Sequence, residues 1–485
     1  MTDSRDLDDW ETIRAEGHRL VDEMVDHLAG LAEGPVWRAM PPEARARLRT
    51  TLPRHGTDLA RALDDARELV VPYHSGNTHP RFFGWVQGGG LGVGVLAAIL
   101  EAGLDANCGG RDHAAVAVEA EVVGWMRELF GFPEGASGVF VTGTSQANLL
   151  AVLIASRAAA GLAVRQSGLG SRGLALRGYA SSAVHGCVPR AFDAAGLGEG
   201  ALRRIRTDTR GRLDVAALER TIAEDRAAGL EPFFVAATVG SVDTGAVDDL
   251  EALGALAARE RLWLHADAAY AAMGMLSPAL APRLRALSSV DSIAFDFHKW
   301  TQLQYEAGFL LVRDGVAHKA AFASPAAYLR REARGIAAGE TWPTDLCLDL
   351  SRGFKALKVW LAFKSLGADR LGAAIDRTCA LARHLAARIG AEPALELLAP
   401  VELNIVCFRV RPAQGEDGDE LNRRVAITLH ERGLAAPSTT TVGGALALRA
   451  AVFNHRTREK DVEALVDAVL SVGAELREAA PPRSS

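Results

Sequence analysis

Residues 294–300 read AFDFHKW, so His298 and Lys299 stand side by side directly after an apolar, strand-like run. A lysine there has two readings. It snorkels from a strand end into water, or it is held without its charge so that the amine can attack a carbonyl. Burying an ammonium is costly unless it is paired or neutralised, which makes the position informative. Three other stretches could serve the same chemistry. VTGTSQANLL sets Gly143, Thr144 and Ser145 between a strand and a helix. Amides and hydroxyls there can converge on an anion at the positive helix terminus, although Ser and Thr also serve there as plain N-caps. LHADAAY ends a strand with Asp267 among alanines. Open α/β sheets bind ligands at such strand ends, but an aspartate there can equally be a cap. His185, in AVHGCVPRAF, follows another apolar run and could be a hydrogen-bonded structural residue.

These groups need a frame to hold them. From about Tyr73 onward, strand-like runs (GVFVTG, FFVAATV, LWLHADA, SIAFDF, GFLLVR) alternate with helical ones (SQANLLAVLIASRAAA, VDDLEALGALAARE). That alternation predicts an α/β fold, a mostly parallel sheet flanked by helices. Before it, apolar positions at helical spacing (Leu7, Trp10, Ile13, Leu20, Met24, Leu28) and two proline-bounded pieces predict an N-terminal helical segment over 1–80. A large domain over 81–360 follows. A smaller C-terminal α/β domain over 361–485 begins after the long helix GFKALKVWLAFKSLG. At 485 residues the chain is long enough for such a division.

Composition removes several classes. A net charge of -6 leaves no basic footprint for nucleic acid. The longest apolar stretch, LGVGVLAAILEAGL, falls short of the ~20 residues that cross a bilayer, and the acidic start MTDSRDLDDW is no signal peptide. Cys108, Cys187, Cys347, Cys379 and Cys407 are scattered with no CxxC pair. That argues against a zinc site or a disulfide framework and fits a reducing cytoplasm.

An anion seat, a carboxylate at a strand end, a histidine and a His-Lys pair form the inventory that holds pyridoxal 5'-phosphate (PLP). With HPRFFGW, VTGTSQANLLA, VHGCVPRAF, ATVGSVDTGAVDDL, LHADAAYA, DFHKW, LSRGFKALKVW and LRAAVFNHRT in this order, the chain resembles the group II PLP-dependent amino-acid decarboxylases, aromatic-L-amino-acid decarboxylase among them. The likeness runs from about residue 10 to about residue 470. It implies a fold-type I domain, an N-terminal helical flap and a homodimer with shared active sites. It makes Lys299 the Schiff-base lysine, with His298 beside the cofactor phosphate and Asp267 on the pyridine nitrogen. Ala269 and His185 take the two ring faces, and Thr144 and Ser145 bind phosphate. Tyr328, on a small, charged and glycine-punctuated loop, takes the position of the tyrosine that returns a proton to the substrate carbon; the related aldehyde synthases carry Phe there.

Departures from the pattern matter too. Gly240-Ser241-Val242 replaces Gly-Thr-Thr, which leaves Thr238 a larger part in holding the cofactor. Asp296 replaces a frequent Asn. DANCGGRDHAA offers Asp105, Asn107, Arg111 and His113 where aromatic-specific relatives place apolar residues. Arg111 could clamp a substrate carboxylate or lie in a surface salt bridge, and Gln87 is a further candidate for the substrate carboxylate. The expected reaction is decarboxylation of a small-molecule L-amino acid, most readily an aromatic one, to the primary amine and CO2. The alternatives are an acidic or other non-aromatic substrate, or oxidative deamination to an aldehyde. An aminotransferase on the same fold, or a binding protein without chemistry, fits the landmarks less well.

Overall fold

The protein is described from a computed structural model covering residues 8–324 and 330–479. The first strand, β1 (Phe82–Phe83), belongs to a small sheet. A seven-stranded sheet follows: β2 (Ser137–Val141), β3 (Leu176–Ser181), β4 (Leu202–Ile205), β5 (Glu231–Thr238), β6 (Trp263–Asp267), β7 (Ser292–Asp296) and β8 (Gly308–Val312). Its order is β2-β8-β7-β6-β5-β3-β4. β8 runs antiparallel to both of its neighbours, and the other adjacent pairs are parallel. The expected mostly parallel α/β fold is therefore present. All five strands read from apolar runs form. β3 and β4 are not predicted by the pattern, because LRGYAS and LRRI interrupt their apolar residues with arginine.

Why these runs become central strands is visible at β7, where SIAFD is buried at every position, as expected when helices cover both faces. Beneath it Phe295, Phe297 and Phe309 pack with Phe130 and Phe140 at centroid separations of 5.0–5.8 Å. Each such fully buried ring contributes roughly 1.5–3 kcal/mol. The helix Thr144–Ala160 starts immediately after β2 and packs against β5 to β8.

By contact density the chain divides into two compact units. Residues 86–383 and 399–406 form one, which contains the seven-stranded sheet. The other joins the segment up to Trp85 with 384–398 and the residues from 407 onward. Grouping the N-terminal segment with the C-terminal strands differs from the three consecutive parts read from the sequence. The joining contacts use the backbone of the N-terminal segment: β1 pairs in parallel with β9 (Ala436–Val442), and Asn454 Nδ2 donates to the carbonyls of Thr78 and His79. β9 turns into β10 (Ala445–Ala451) through Gly443 and Gly444, whose φ values of 58° and 83° suit the tight hairpin. The first helix forms as Trp10–Gly30 but buries none of its residues. A long helix, Ala368–Gly390, forms where no helix is predicted.

Candidate active site

Parallel strands aim their C-terminal ends the same way, so Thr238, Asp267 and Asp296, the last residues of β5, β6 and β7, share one edge of the sheet. The turn after β2 brings Thr144 to that edge, where its N–H donates to Asp296 Oδ1 at 2.7 Å. Lys299 follows β7 by three residues, and its Nζ lies 2.7 Å from Asp296 Oδ2. The lysine is thus neither a snorkelling surface residue nor a bare amine: its side chain is 20% exposed and ion-paired to a carboxylate that is 3% exposed.

His298 is buried, and desolvation lowers its pKa to about 4. Its Nδ1 accepts the Ala307 N–H at 3.1 Å, so the neutral ring carries its proton on Nε2. Tyr305 covers that ring at 4.2 Å between centroids. Gln87 reaches this edge through its neighbour, since Gly88 N–H donates to the His298 carbonyl. The glycine is needed there because a Cβ at residue 88 would overlap the carbonyl oxygens of His298 and Lys299.

Asp267 is buried, and desolvation raises its pKa against the opposing charges of Lys299 and His185. Its Oδ1 accepts from Ala269 N at 3.3 Å and its Oδ2 from Asn148 Nδ2 at 3.1 Å. A chain of hydrogen bonds continues behind it. His265 Nε2 lies 2.7 Å from Asn148 Oδ1, His265 Nδ1 lies 2.8 Å from Ser292 Oγ, and Trp263 Nε1 donates to that same hydroxyl at 2.8 Å. Because indole can only donate and the Asn148 amide nitrogen faces a carboxylate, every hydrogen in the chain points toward Asp267. Burial lowers the His265 pKa to about 3, which keeps this ring neutral as the pattern requires. His265 and Asn148 were not singled out in the sequence. One signal was available: His265 lies two residues before Asp267 on a strand, hence on the same face.

The other sequence-predicted residues occupy varied surroundings. His185 and Ser145 are exposed, and Ala269 is half-buried. His185 Nδ1 accepts from Cys187 N at 3.2 Å, and Cys187 in turn lies beside Asp267. Arg111 is exposed at a φ of 81°, on a loop tied to 336–352 through Asp112 N–H and the Ile336 carbonyl. No hydrogen bond or ion pair among the described residues links Arg111 to Lys299 or its partners. Tyr328 lies outside the described residues.

Two hydroxyls at this edge, Thr144 Oγ1 and Thr238 Oγ1, are buried without a hydrogen-bond partner among the described residues. An orphaned buried hydroxyl costs roughly 1–3 kcal/mol, so both suit a polar ligand that would satisfy them. The pyridoxal-dependent decarboxylase conserved domain matches residues 41–411. The chain belongs to that family. It is similar to the aromatic-L-amino-acid decarboxylase of Bacillus atrophaeus, 31% identical over 93% of each chain. It is also similar to the phenylacetaldehyde synthase of Arabidopsis thaliana, 29% identical over 94% of each. Among solved structures, Oryza sativa TDC with PLP and tryptamine superposes with a TM-score of 0.90 at 27% identity, covering 98% of this chain and all of that one. This family member is a PLP-dependent carboxy-lyase of fold-type I, and its cofactor is pyridoxal 5'-phosphate. The residues present fit that group: an anion seat with an unsatisfied hydroxyl, a carboxylate for a ring nitrogen, and an amine for an aldehyde.

Proposed function

We propose that this decarboxylase acts on an aromatic L-amino acid and releases the primary amine and CO2, with Lys299 as the residue that carries the cofactor. The observation behind this reading is the shared sheet edge, where the Lys299–Asp296 pair and Asp267 flank two unsatisfied hydroxyls. The aromatic choice rests on the relatives, whose names cite aromatic amino acids or their products. When bound, the cofactor supplies an electron sink for the pair left on Cα as CO2 departs.

The chain's own residues divide the remaining tasks. Asp267 holds a proton at the ring nitrogen, supported by donors that all point toward its carboxylate. Ala269 leaves one ring face clear, and His185 covers the other. Thr144, Ser145 and the Nε2–H of His298 bind phosphate, and Thr238 contributes a hydroxyl. Lys299 releases the product, and Tyr328 delivers the proton to Cα. Gln87 or Arg111 orients the substrate carboxylate, with Arg111 suited to bidentate binding.

A homodimer with shared active sites is part of the same reading. The helix Gly92–Leu104 exposes Leu96, Ile99, Leu100 and Leu104 on one stripe, each at least half accessible. The loop that follows lies against the segment carrying exposed Ile336 and Leu350. An apolar stripe continuous with the Arg111 loop suits a second copy. Sedimentation of the native protein is expected to give a two-chain species that Ile99→Glu with Leu100→Glu converts to single chains; a native single chain with full activity overturns the dimer. No helix among the described residues is long and apolar enough to cross a membrane. Five buried free cysteines support the cytoplasm as its location.

The decisive test is mass-spectrometric product analysis of the PLP-loaded protein offered single amino acids, with peroxide assayed in parallel. An aromatic amine without peroxide is expected, and Tyr328→Phe should divert product toward aldehyde with peroxide. Peroxide and aldehyde from the native protein would instead place it with the aldehyde synthases. Consumption of an acidic amino acid alone would overturn the aromatic assignment and make Arg111 its specificity residue.

A further inference from the structure

Asp296 occupies an unusual position for a carboxylate. Its Oδ1 takes the Thr144 N–H at the start of a long helix, and its Oδ2 takes the Lys299 ammonium. A Cβ built on Gly143 would lie 3.7 Å from Oδ1, so the carboxylate borders the same turn as the unsatisfied Thr144 hydroxyl. The second nearby ring, His298, has its Nε2 3.6 Å from Oδ2, beyond hydrogen-bonding range. Tyr305 lies tilted over that ring and feels the Asp296 charge, and Asp267, Cys187 and His298 are ionisable groups whose charges couple to Lys299. Lys299 is therefore the cation paired with Asp296, at hydrogen-bonding distance, its side chain 20% exposed against 3% for the carboxylate.

We propose that Asp296 takes the proton from Lys299 when the cofactor is captured. This rests on the reading of Lys299 as the cofactor-bearing residue. The ammonium gives one proton to Asp296 Oδ2, and the amine nitrogen then adds its lone pair to the aldehyde carbon of PLP. A carbon–nitrogen double bond replaces the carbon–oxygen one, and the carbonyl oxygen leaves as water with the two remaining amine hydrogens. Nothing is oxidised or reduced. An asparagine at residue 296 would accept the Thr144 N–H through its amide oxygen but could not take the proton, so that exchange removes the acceptor and spares the hydrogen bond.

The test is the rate at which apoprotein mixed with PLP gains the visible absorbance of the C=N link, for native and Asp296→Asn protein from about pH 6 to about pH 8. The pH behaviour of PLP itself cancels in the ratio of the two rates. With an internal acceptor lost, Asp296→Asn must wait for hydroxide, so the native-to-variant ratio is expected to fall about tenfold per pH unit as pH rises. A pH-independent ratio overturns the proposal, as does a variant faster than native throughout. Asp296→Ser, smaller and uncharged, is the companion should the asparagine variant not fold. Lys299→Arg separates the two readings. Unchanged C=N formation in that variant overturns Lys299 as the carrier, whereas a flat ratio with Lys299-dependent capture overturns only the role of Asp296.

Discussion

Lys299→Arg is expected to fold normally and to lose at least about 10³-fold in turnover, the scale seen when a covalent catalytic group is removed. Arginine keeps a positive charge beside Asp296 but has no amine able to condense with an aldehyde. Lys299→Ala should be equally inactive and less stable as well, because Asp296 would be left as a buried charge with only the Thr144 amide to compensate it. The check is borohydride reduction of the PLP-loaded protein followed by peptide mass analysis. Native protein should carry the cofactor on Lys299 and the variants nowhere. Cofactor on another lysine, or turnover within tenfold of native, would remove Lys299 from the centre of the site.

The second large effect is expected on stability. Glu119 and Arg352 form a buried two-point pair, with Arg352 Nη2 to Glu119 Oε1 at 2.7 Å and Nη1 to Oε2 at 3.1 Å, and side chains 5% and 3% exposed. Nη1 and Nη2 also donate to the carbonyls of Cys108 and Phe140, each at 2.8 Å. Arg352 therefore ties the loop bearing Arg111 to β2, the strand that leads into the Thr144 turn. Arg352→Met strands the Glu119 carboxylate and should cost about 3–5 kcal/mol in chemical denaturation. Pairing it with Glu119→Leu removes the orphaned charge and should recover part of that loss, though not all, since two carbonyls stay unsatisfied. PLP affinity should fall in the single variant, because the strand behind the anion seat loses its anchor. A loss below about 1 kcal/mol would mean that water or backbone movement replaces the pair.

The strands that deliver Asp267 and Lys299 were legible because each is a short, largely apolar run ending in an aspartate. Thr144 was legible because a glycine-led turn between strand and helix is a local pattern. What escaped was non-local. Asn148 looks like a polar residue within an apolar helix, and its meaning appears only when β6 brings His265 against it. β4 reads as arginine-rich, and the partner that accommodates Arg203, Asp225, lies outside the strand. The pairing of β1 with β9 joins distant parts of the chain, which no window of sequence displays. Arg111 shows the opposite limit: its residue type suggested a carboxylate clamp, and within a single chain it stands exposed on its loop, so its part in the site depends on the second copy that a dimer would bring.

β8 is the one strand that opposes the rest of the large sheet, and Gly308 at its start passes directly against Gly143. Any Cβ at residue 308 would overlap the Gly143 backbone. The close approach of Gly308 to the Gly143 backbone thus fixes where the Thr144 turn begins. The functional groups of the turn could be exchanged one at a time and the site would remain in place. The wall behind them has no such freedom, since a larger residue at 308 has no smaller partner left to choose at 143. The chemistry at this edge of the sheet is open to gradual change, while its location is closed to it.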